Sequence, residues 1–488
     1  MNQRPENHEN ATVVPEVMTD QNREMKRDRF VFSKRRFQQI WYELSEMTTI
    51  KQVTQAISEP GLELMALGLL LIWCLSPIFM VIASIVNPQD DPFTILLELD
   101  LFSSNWATLL QILGNLGLII GIIAGIKNHY EEGLFRPLLS KALVYCLSLM
   151  LIWSLFSTAL AINPSLAFFG DPYRREGLLT YFAYAGIFSS AIMIKNKKRL
   201  RLLLASFGTG SLIVSIHYLV NWRPELYGSN YFGIFLQFNH TAYYFLFAIF
   251  INLTLYLTSG RERRLEQWLW LLAYCAAVSS LLINNSFGPF LAAVGGMILA
   301  ITFRAKQALP DQKRRLIVAA LIFLMISFVF NVMLKGVSRD TAIFVQDIAK
   351  ITSGDATAET AGTGRWLLWT TGFELALERP LIGYGPDGLG QAMVEHGVTY
   401  NDRPHNEFIY FAASLGFPAL LFYILGLIAH LRNFLVVRKE LDWLVIGLFC
   451  TVGAYLVNSL FSNTMFYTYP FFVLFLGLTY AQVKYHQA

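Results

Sequence analysis

Twelve apolar runs, each approaching or exceeding the length of a membrane-spanning helix, punctuate the chain. They fall at 61–86, 106–126, 142–162, 178–194, 202–221, 241–258, 269–283, 288–303, 316–334, 407–431, 441–462 and 467–483. This pattern predicts an all-α polytopic membrane protein of about twelve transmembrane helices. Most connections are short. The exception is 335–406, a polar excursion between the ninth and tenth helices. Long connections in an otherwise economical chain tend to carry function. Four regions follow: a tail at 1–60, helices one to nine at 61–334, a large loop at 335–406, and helices ten to twelve with a short tail at 407–488.

Within the first tail, residues 1–25 are polar and lack apolar periodicity, so disorder is expected there. From Arg29 to Ile57 the pattern changes, and Phe37, Ile40, Trp41, Leu44 and Met47 recur at helical spacing beside Lys34, Arg35 and Arg36. An amphipathic helix on an anionic leaflet and a plain orienting flank both fit this stretch. The first apolar run starts only near Gly61, so no cleavable signal peptide is expected.

Composition agrees with the pattern. The chain is 55% hydrophobic and only 15% charged, which excludes an ordinary soluble domain. The net charge of +4 is no sign of nucleic-acid binding, because the basic residues are sorted by topology. KNKKRLR (195–201), RERR (261–264) and QKRR (312–315) fall in alternate connections, which places them and both termini in the cytoplasm. Cys74, Cys146, Cys275 and Cys450 all lie in apolar runs without metal spacing and read as small buried hydrophobes. No metal or cofactor is called for.

By this topology 335–406 is extracytoplasmic, and cations on that side are exceptions that need a reason. They include Arg174 and Arg175 beside Asp171 and Glu176, Arg223, and Arg339, Arg365, Arg379 and Arg403 in the long loop. Asn239 and His240 sit at the same membrane boundary. The planar guanidinium suits a phosphate or diphosphate. Local pairing is the other reading: Arg175 with Asp171, or Arg379 with Glu378. Pairing is preferred for Arg379 and Arg339, and ligand binding for Arg174 and Arg365. A helix capped by Thr363 and starting near Arg365 would set Trp366, Trp369, Phe373 and Leu377 on one face. LIGYGPDGLG then reads as a turn. His405, next to Asn406 and Glu407, is the best chemical candidate. It could act as a base on a sugar hydroxyl, or it could hydrogen-bond a neighbouring helix end.

Four stretches together resemble the O-antigen ligase and polymerase family of membrane glycosyltransferases: FGDPYRREGLLTY, FNHTAYY, GTGRWLLWTTGFELALERPLIGYGPDGL and HNEFIYFAASLGFPALL. The resemblance runs from about Ala142 to Phe475. One departure is Phe287, where many relatives carry an arginine after the serine. The resemblance implies a helical, C-type, inverting and metal-independent enzyme in a bacterial inner membrane. Its donor would be a glycan on undecaprenyl diphosphate, passed to an acceptor glycan. Arg174 and Arg365 would hold the diphosphate and His405 would be the general base, with Arg175, Arg223, Asn239, His240 and Asn406 in support. Polymerisation of a teichuronic acid-like, capsular or exopolysaccharide is the expected activity, within a synthesis or export complex. Ligation of finished glycan to an acceptor is the alternative. A lipid-carrier flippase or transporter is the rival from another class, although repeated halves are not evident. A non-catalytic scaffold comes third.

Overall fold

A computed structural model describes residues 52, 57–86, 92–132, 141–172, 174–222, 233–235, 237–304, 309–334, 336–354, 358–362, 364–398 and 403–487. The expected disordered tail, nearly all of the expected amphipathic helix, Arg223 and Thr363 lie outside the described residues. Among the described residues there is no strand. The first six helices are α1 (Glu59–Val86), α2 (Pro92–Glu132), α3 (Ala142–Ala159), the short α4 (Pro164–Phe169), α5 (Leu178–Ile192) and α6 (Lys197–Asn221). Four more follow: α7 (Phe238–Thr258), α8 (Arg264–Asn284), α9 (Phe287–Arg304) and α10 (Pro310–Leu334). The long connection contains α11 (Gly336–Ser353), α12 (Arg365–Glu378) and α13 (Leu389–Glu395). Finally come α14 (Glu407–Leu415), α15 (Phe417–Val437), α16 (Trp443–Asn458) and α17 (Tyr469–Gln487).

Every expected apolar run is helical. Nine helices among the described residues are long and apolar enough to cross a membrane, while α5 and α9 are apolar but shorter. Two features depart from the sequence expectation. The run 407–431 is not one helix: it breaks at Gly416, whose φ is +86°. A Cβ there would lie 2.1 Å from the Leu381 carbonyl oxygen, and Phe417 donates its N–H to the Pro380 carbonyl at 2.8 Å. The chain can pass this crossing only without a side chain. The second departure is α11, which begins almost at once after α10. Its Asp347 is buried while Ile343, Val345 and Ile348 are exposed, the mark of an amphipathic helix rather than a polar loop.

The interior is built around α7, of which 94% of the central window is buried; the corresponding figure for α10, at the rim, is 17%. Aromatic rings fill the space beside α7. Phe207 contacts Tyr244, Phe471 and Phe475 at centroid distances of 5.3, 5.3 and 5.2 Å. Exposed Leu324 and Phe328 on α10 and Phe79 and Ile82 on α1 form the apolar exterior expected of a lipid-facing bundle.

The two ends of the bundle differ chemically. At the end where α7 terminates, cations and acids pair near the surface: Lys197 with Asp442 at 2.6 Å, Arg199 with Glu63 at 2.5 Å, and Arg315 with Asp311 at 2.7 Å. The opposite end, where α7 begins, carries the candidate site. Small residues let α2 and α5 approach: a Cβ on Gly186 would fall 1.7 Å from the Gly114 carbonyl oxygen. Gly186→Val should therefore destabilise the protein by ~3 kcal/mol or more. Gly125→Val, on α2 with open space around it, should be close to neutral by comparison. Thermal unfolding of the two variants in detergent checks this.

Candidate active site at the start of α7

Arg403 is the centre of this end. It is 1% exposed and bonds Glu176 at 2.7 Å, Asp387 at shorter range, and the Thr464 carbonyl at 2.8 Å. Its guanidinium lies 4.8 Å from the Tyr410 ring centroid. Asp387 uses its other oxygen to accept the backbone N–H groups of Asp171, at 2.7 Å, and Glu176, at 3.2 Å. Glu176 also accepts from Tyr184 and, at 3.2 Å, from Thr464. Burial pushes the Glu176 carboxyl above its ordinary range, and the Arg403 charge opposes that shift. Three separate connections are thereby pinned to one another: 170–177, 383–388 and 403–406.

The backbone around this network is unusual. Among the described residues the non-glycine positions with positive φ are Arg175 (49°), Asn285 (59°), Asp387 (57°) and His405 (51°). Arg175, Asp387 and His405 belong to the pinned connections, and Asn285 lines the neighbouring cavity. Such conformations are costly for non-glycine residues and tend to persist where surrounding structure over-determines them, often at functional sites. Asn406 caps α14, accepting from Phe408 at 3.0 Å and Ile409 at 3.1 Å, and donates to the Leu460 carbonyl at 3.1 Å. His405 is thus held between the network and a capped helix, with its carbonyl accepting from Trp369 Nε1 at 3.4 Å.

His240 lies in the first turn of α7, with Nδ1 3.2 Å from Thr468 Oγ1. Arg174, His405 and Arg403 are close enough to bear electrostatically on its ring. The ring meets Tyr243 edge-on at 5.1 Å, and the charge of Arg365 reaches Tyr243 in turn. The charge of Arg174 thus bears on His240 and that of Arg365 on Tyr243, one turn further along the same helix.

Arg365 opens into a cavity of about 650 Å³, within the usual size of a small-molecule site. Asn239 and Tyr243 of α7, Ser286, Trp366 and Trp369 of α12, and Phe344 of α11 are among the side chains that line it. Asp347 of α11 holds this wall by accepting the Gly362 N–H at 2.7 Å. The aromatic face expected on α12 is present, but it is divided: Trp366 and Trp369 line the cavity, while Phe373 and Leu377 are exposed.

Arg174, His405, His240 and Arg403 come together, and Arg365 and Asn239 share the adjoining cavity. Asn406 is a cap. Arg175 contributes a backbone turn, its N–H bonding the Asp171 carbonyl at 2.7 Å. Arg339 pairs with Asp340 at 3.2 Å, as the local reading holds. For Arg379 the expected partner is not the one used. It lies 5.3 Å from the Tyr384 centroid and donates to the Leu160 carbonyl at 3.0 Å, while Glu378 is taken by Tyr384 at 2.6 Å and His396 at 2.9 Å. Sequence reasoning missed Asp387, Tyr410 and Thr464. Asp387 sits inside a stretch that reads simply as a turn.

Removing Arg403 would leave two buried carboxylates without their cation, at a cost of about 3–5 kcal/mol. Arg403→Leu should lose its cooperative thermal transition, whereas Glu176→Gln, which keeps the shape and the Tyr184 contact, should retain one. At His396 both ring nitrogens face acceptors, the Ala392 carbonyl at 2.9 Å and Glu378 at 2.9 Å. The carbonyl first and Glu378 second raise its pKa above the ordinary value. The tie is therefore complete at pH values below the ordinary histidine range and weakens as pH rises through the elevated value. Hydrogen exchange across 389–398, corrected for intrinsic rate, should quicken between pH 6 and 9, and His396→Gln should remove that dependence.

Residues 269–424 match the family model described as O-antigen ligase. The matched segment holds the cavity walls from α9, α11 and α12, together with Asp387, Arg403 and His405; Arg174, Glu176, Asn239 and His240 lie outside it. No curated protein matches the chain.

Proposed function

We propose, from the chain's membership of the O-antigen ligase and polymerase family, that it is an inverting glycosyltransferase polymerising polyprenyl-diphosphate-linked repeat units. The family supports a lipid-linked glycan substrate and an acceptor glycan; the further assignments are our reading. The observation that supports it is the gathering of Arg174, Arg365 and His405 at the first turns of α7, where their charges bear on His240 and Tyr243. Two permanent cations at the start of a long helix suit a diphosphate. Since a diphosphate leaves as an anion, departure needs no general acid once arginines hold it, and the chemistry asks chiefly for a base on the incoming hydroxyl. His405 takes that role, its position fixed by the Arg403 network. Arg403 itself, committed to two carboxylates, is a positioning residue.

The basic end of the bundle faces the cytoplasm in this reading, so the site faces outward, where flipped lipid-linked glycans are found. The source of support is the clustering of Lys195, Lys197, Arg199 and Arg201 at the end opposite the site. We place the protein in a bacterial inner membrane with both termini inside. The product is a surface polysaccharide of the cell-wall, capsular or exopolysaccharide class. Ligation of finished glycan is the second reading, and both share the same donor chemistry.

His405→Ala should insert stably and still bind donor, with transfer slowed on the order of a hundred- to ten-thousand-fold. In-vitro glycan transfer beside a donor-binding assay checks this, and near-native transfer would remove His405 from the chemistry. Arg365→Lys should lose most activity, since an ammonium cannot make two parallel bonds to a diphosphate. A deletion strain separates the two products: shortened chains identify a polymerase, unattached full-length chains a ligase.

A further inference from the structure

The cavity beside Arg365 is wider than a diphosphate needs, and its lining is graded. On the α11 side Ile343, Phe344, Ile348 and Ile351 give it an apolar stripe, beside Asp347 and the Arg339–Asp340 pair. Arg365 lines the same cavity as the α11 residues and Tyr243 of α7, and the connection just before it is bonded to Asp347 through Gly362. On the far side the lining becomes polar without charge, formed by Asn239 and Ser286 beside the rings of Tyr243 and Trp369.

Asn239 is the informative member. It is only 7% exposed, lines the cavity, and its side-chain amide has no hydrogen-bond partner among the described residues. Neighbouring polar groups at this end are engaged: Ser286 Oγ bonds Asn284 at 2.5 Å, and Asn284 donates to the Phe238 carbonyl at 3.0 Å. An amide that lines a cavity with its hydrogen-bonding capacity unspent is available to a ligand there. A carboxamide offers one acceptor and two donors from a single plane. That arrangement matches two adjacent hydroxyls on a pyranose ring, one donating to the oxygen and one accepting from the nitrogen. The indole of Trp369 and the phenol of Tyr243 supply apolar faces for the ring's C–H surface.

We infer that Asn239 reads the sugar directly attached to the diphosphate, in a neutral monosaccharide subsite between α7 and α12. The inference rests on the diphosphate reading of Arg365 above and adds the group that recognises what the diphosphate carries. The order across the cavity is then isoprenoid, diphosphate, sugar, running from α11 past Arg365 to Asn239. Asn239, Ser286, Tyr243 and Trp369 carry no charge themselves and offer hydroxyl and amide partners, so the subsite suits a neutral hexose or N-acetylhexosamine.

The test uses the full chain in nanodiscs and three probes: undecaprenyl diphosphate, undecaprenyl diphospho-glucose and undecaprenyl diphospho-N-acetylglucosamine. The native protein should hold at least one sugar-bearing lipid about tenfold more tightly than the bare carrier, the worth of one or two neutral hydrogen bonds. Asn239→Leu should abolish that preference while leaving affinity for the bare carrier unchanged, and this retained affinity also reports that the variant is folded. Ser286→Ala serves as a second, milder probe of the same wall and should reduce the preference in part. Equal binding of all three lipids by the native protein overturns the inference. So does a parallel loss of affinity for bare and sugar-bearing lipids in Asn239→Leu. Failure of the diphosphate reading looks different: Arg365→Lys then leaves bare-carrier affinity unchanged, while an Asn239-dependent sugar preference persists.

Discussion

A single buried guanidinium organises the end of the bundle at which α7 begins. Arg403 has a carboxylate on each side, an aromatic face against it and a backbone carbonyl in reach, and it is almost wholly removed from solvent. Transferring three ionisable groups into such a place is expensive, and the mutual attraction of the charges offsets that cost without leaving a large surplus. What the arrangement supplies is position. Glu176 belongs to the connection between α4 and α5, Asp387 to the turn before α13, and Arg403 to the approach to α14; distant parts of the sequence meet at one point. Burial pushes the Glu176 carboxyl up, and the Arg403 charge opposes that shift.

Locking these connections has a chemical consequence. His405 stands two residues from Arg403 and directly before the cap of α14, in a left-handed conformation that a flexible loop would abandon. A proton acceptor with a fixed direction and a fixed neighbour in Trp369 is better suited to catalysis than one on a mobile strand. Arg174 follows from the same lock, because its neighbour Glu176 is one of the two acids. The network is the frame, and the residues beside it, not within it, are the ones left to meet a ligand.

Much of the architecture was legible in the sequence. Hydrophobic runs separate lipid-facing from connecting segments through simple transfer energetics, so each expected run is helical, while nine helices among the described residues are long and apolar enough to cross a membrane. The break at Gly416 was not legible, because apolar residues continue across it and the cause is a contact with Leu381, thirty-odd positions earlier. The amphipathic character of α11 was overlooked since its mean hydropathy is low and only its periodicity speaks. In the site, His405, Arg174 and Arg365 stood out as cations or potential cations on the sparse side. Asp387 did not, since a GPDG stretch carries the same residues whether the aspartate turns the chain or anchors an arginine. Arg379 shows the reverse error: sequence adjacency to Glu378 suggested a pair, while the fold offered Tyr384 and a free carbonyl.

The walls of the cavity explain why a lipid-linked substrate is easier to accommodate here than a soluble one. Its outer wall is α11, too polar to be a span and with Ile343, Val345 and Ile348 left exposed. Ile343 and Ile348 line the cavity, so the apolar side of α11 is turned to what the cavity holds and would be costly in bulk water. The inner walls are α7 and α9, which belong to the bundle. A ligand with an isoprenoid tail can reach the site from the lipid side beside α11 while its polar part meets Arg365, without leaving the membrane. A water-soluble activated sugar would gain nothing from that aliphatic wall. On the reading proposed above, the acceptor would meet the donor at His405, beside the diphosphate held by Arg174 and Arg365.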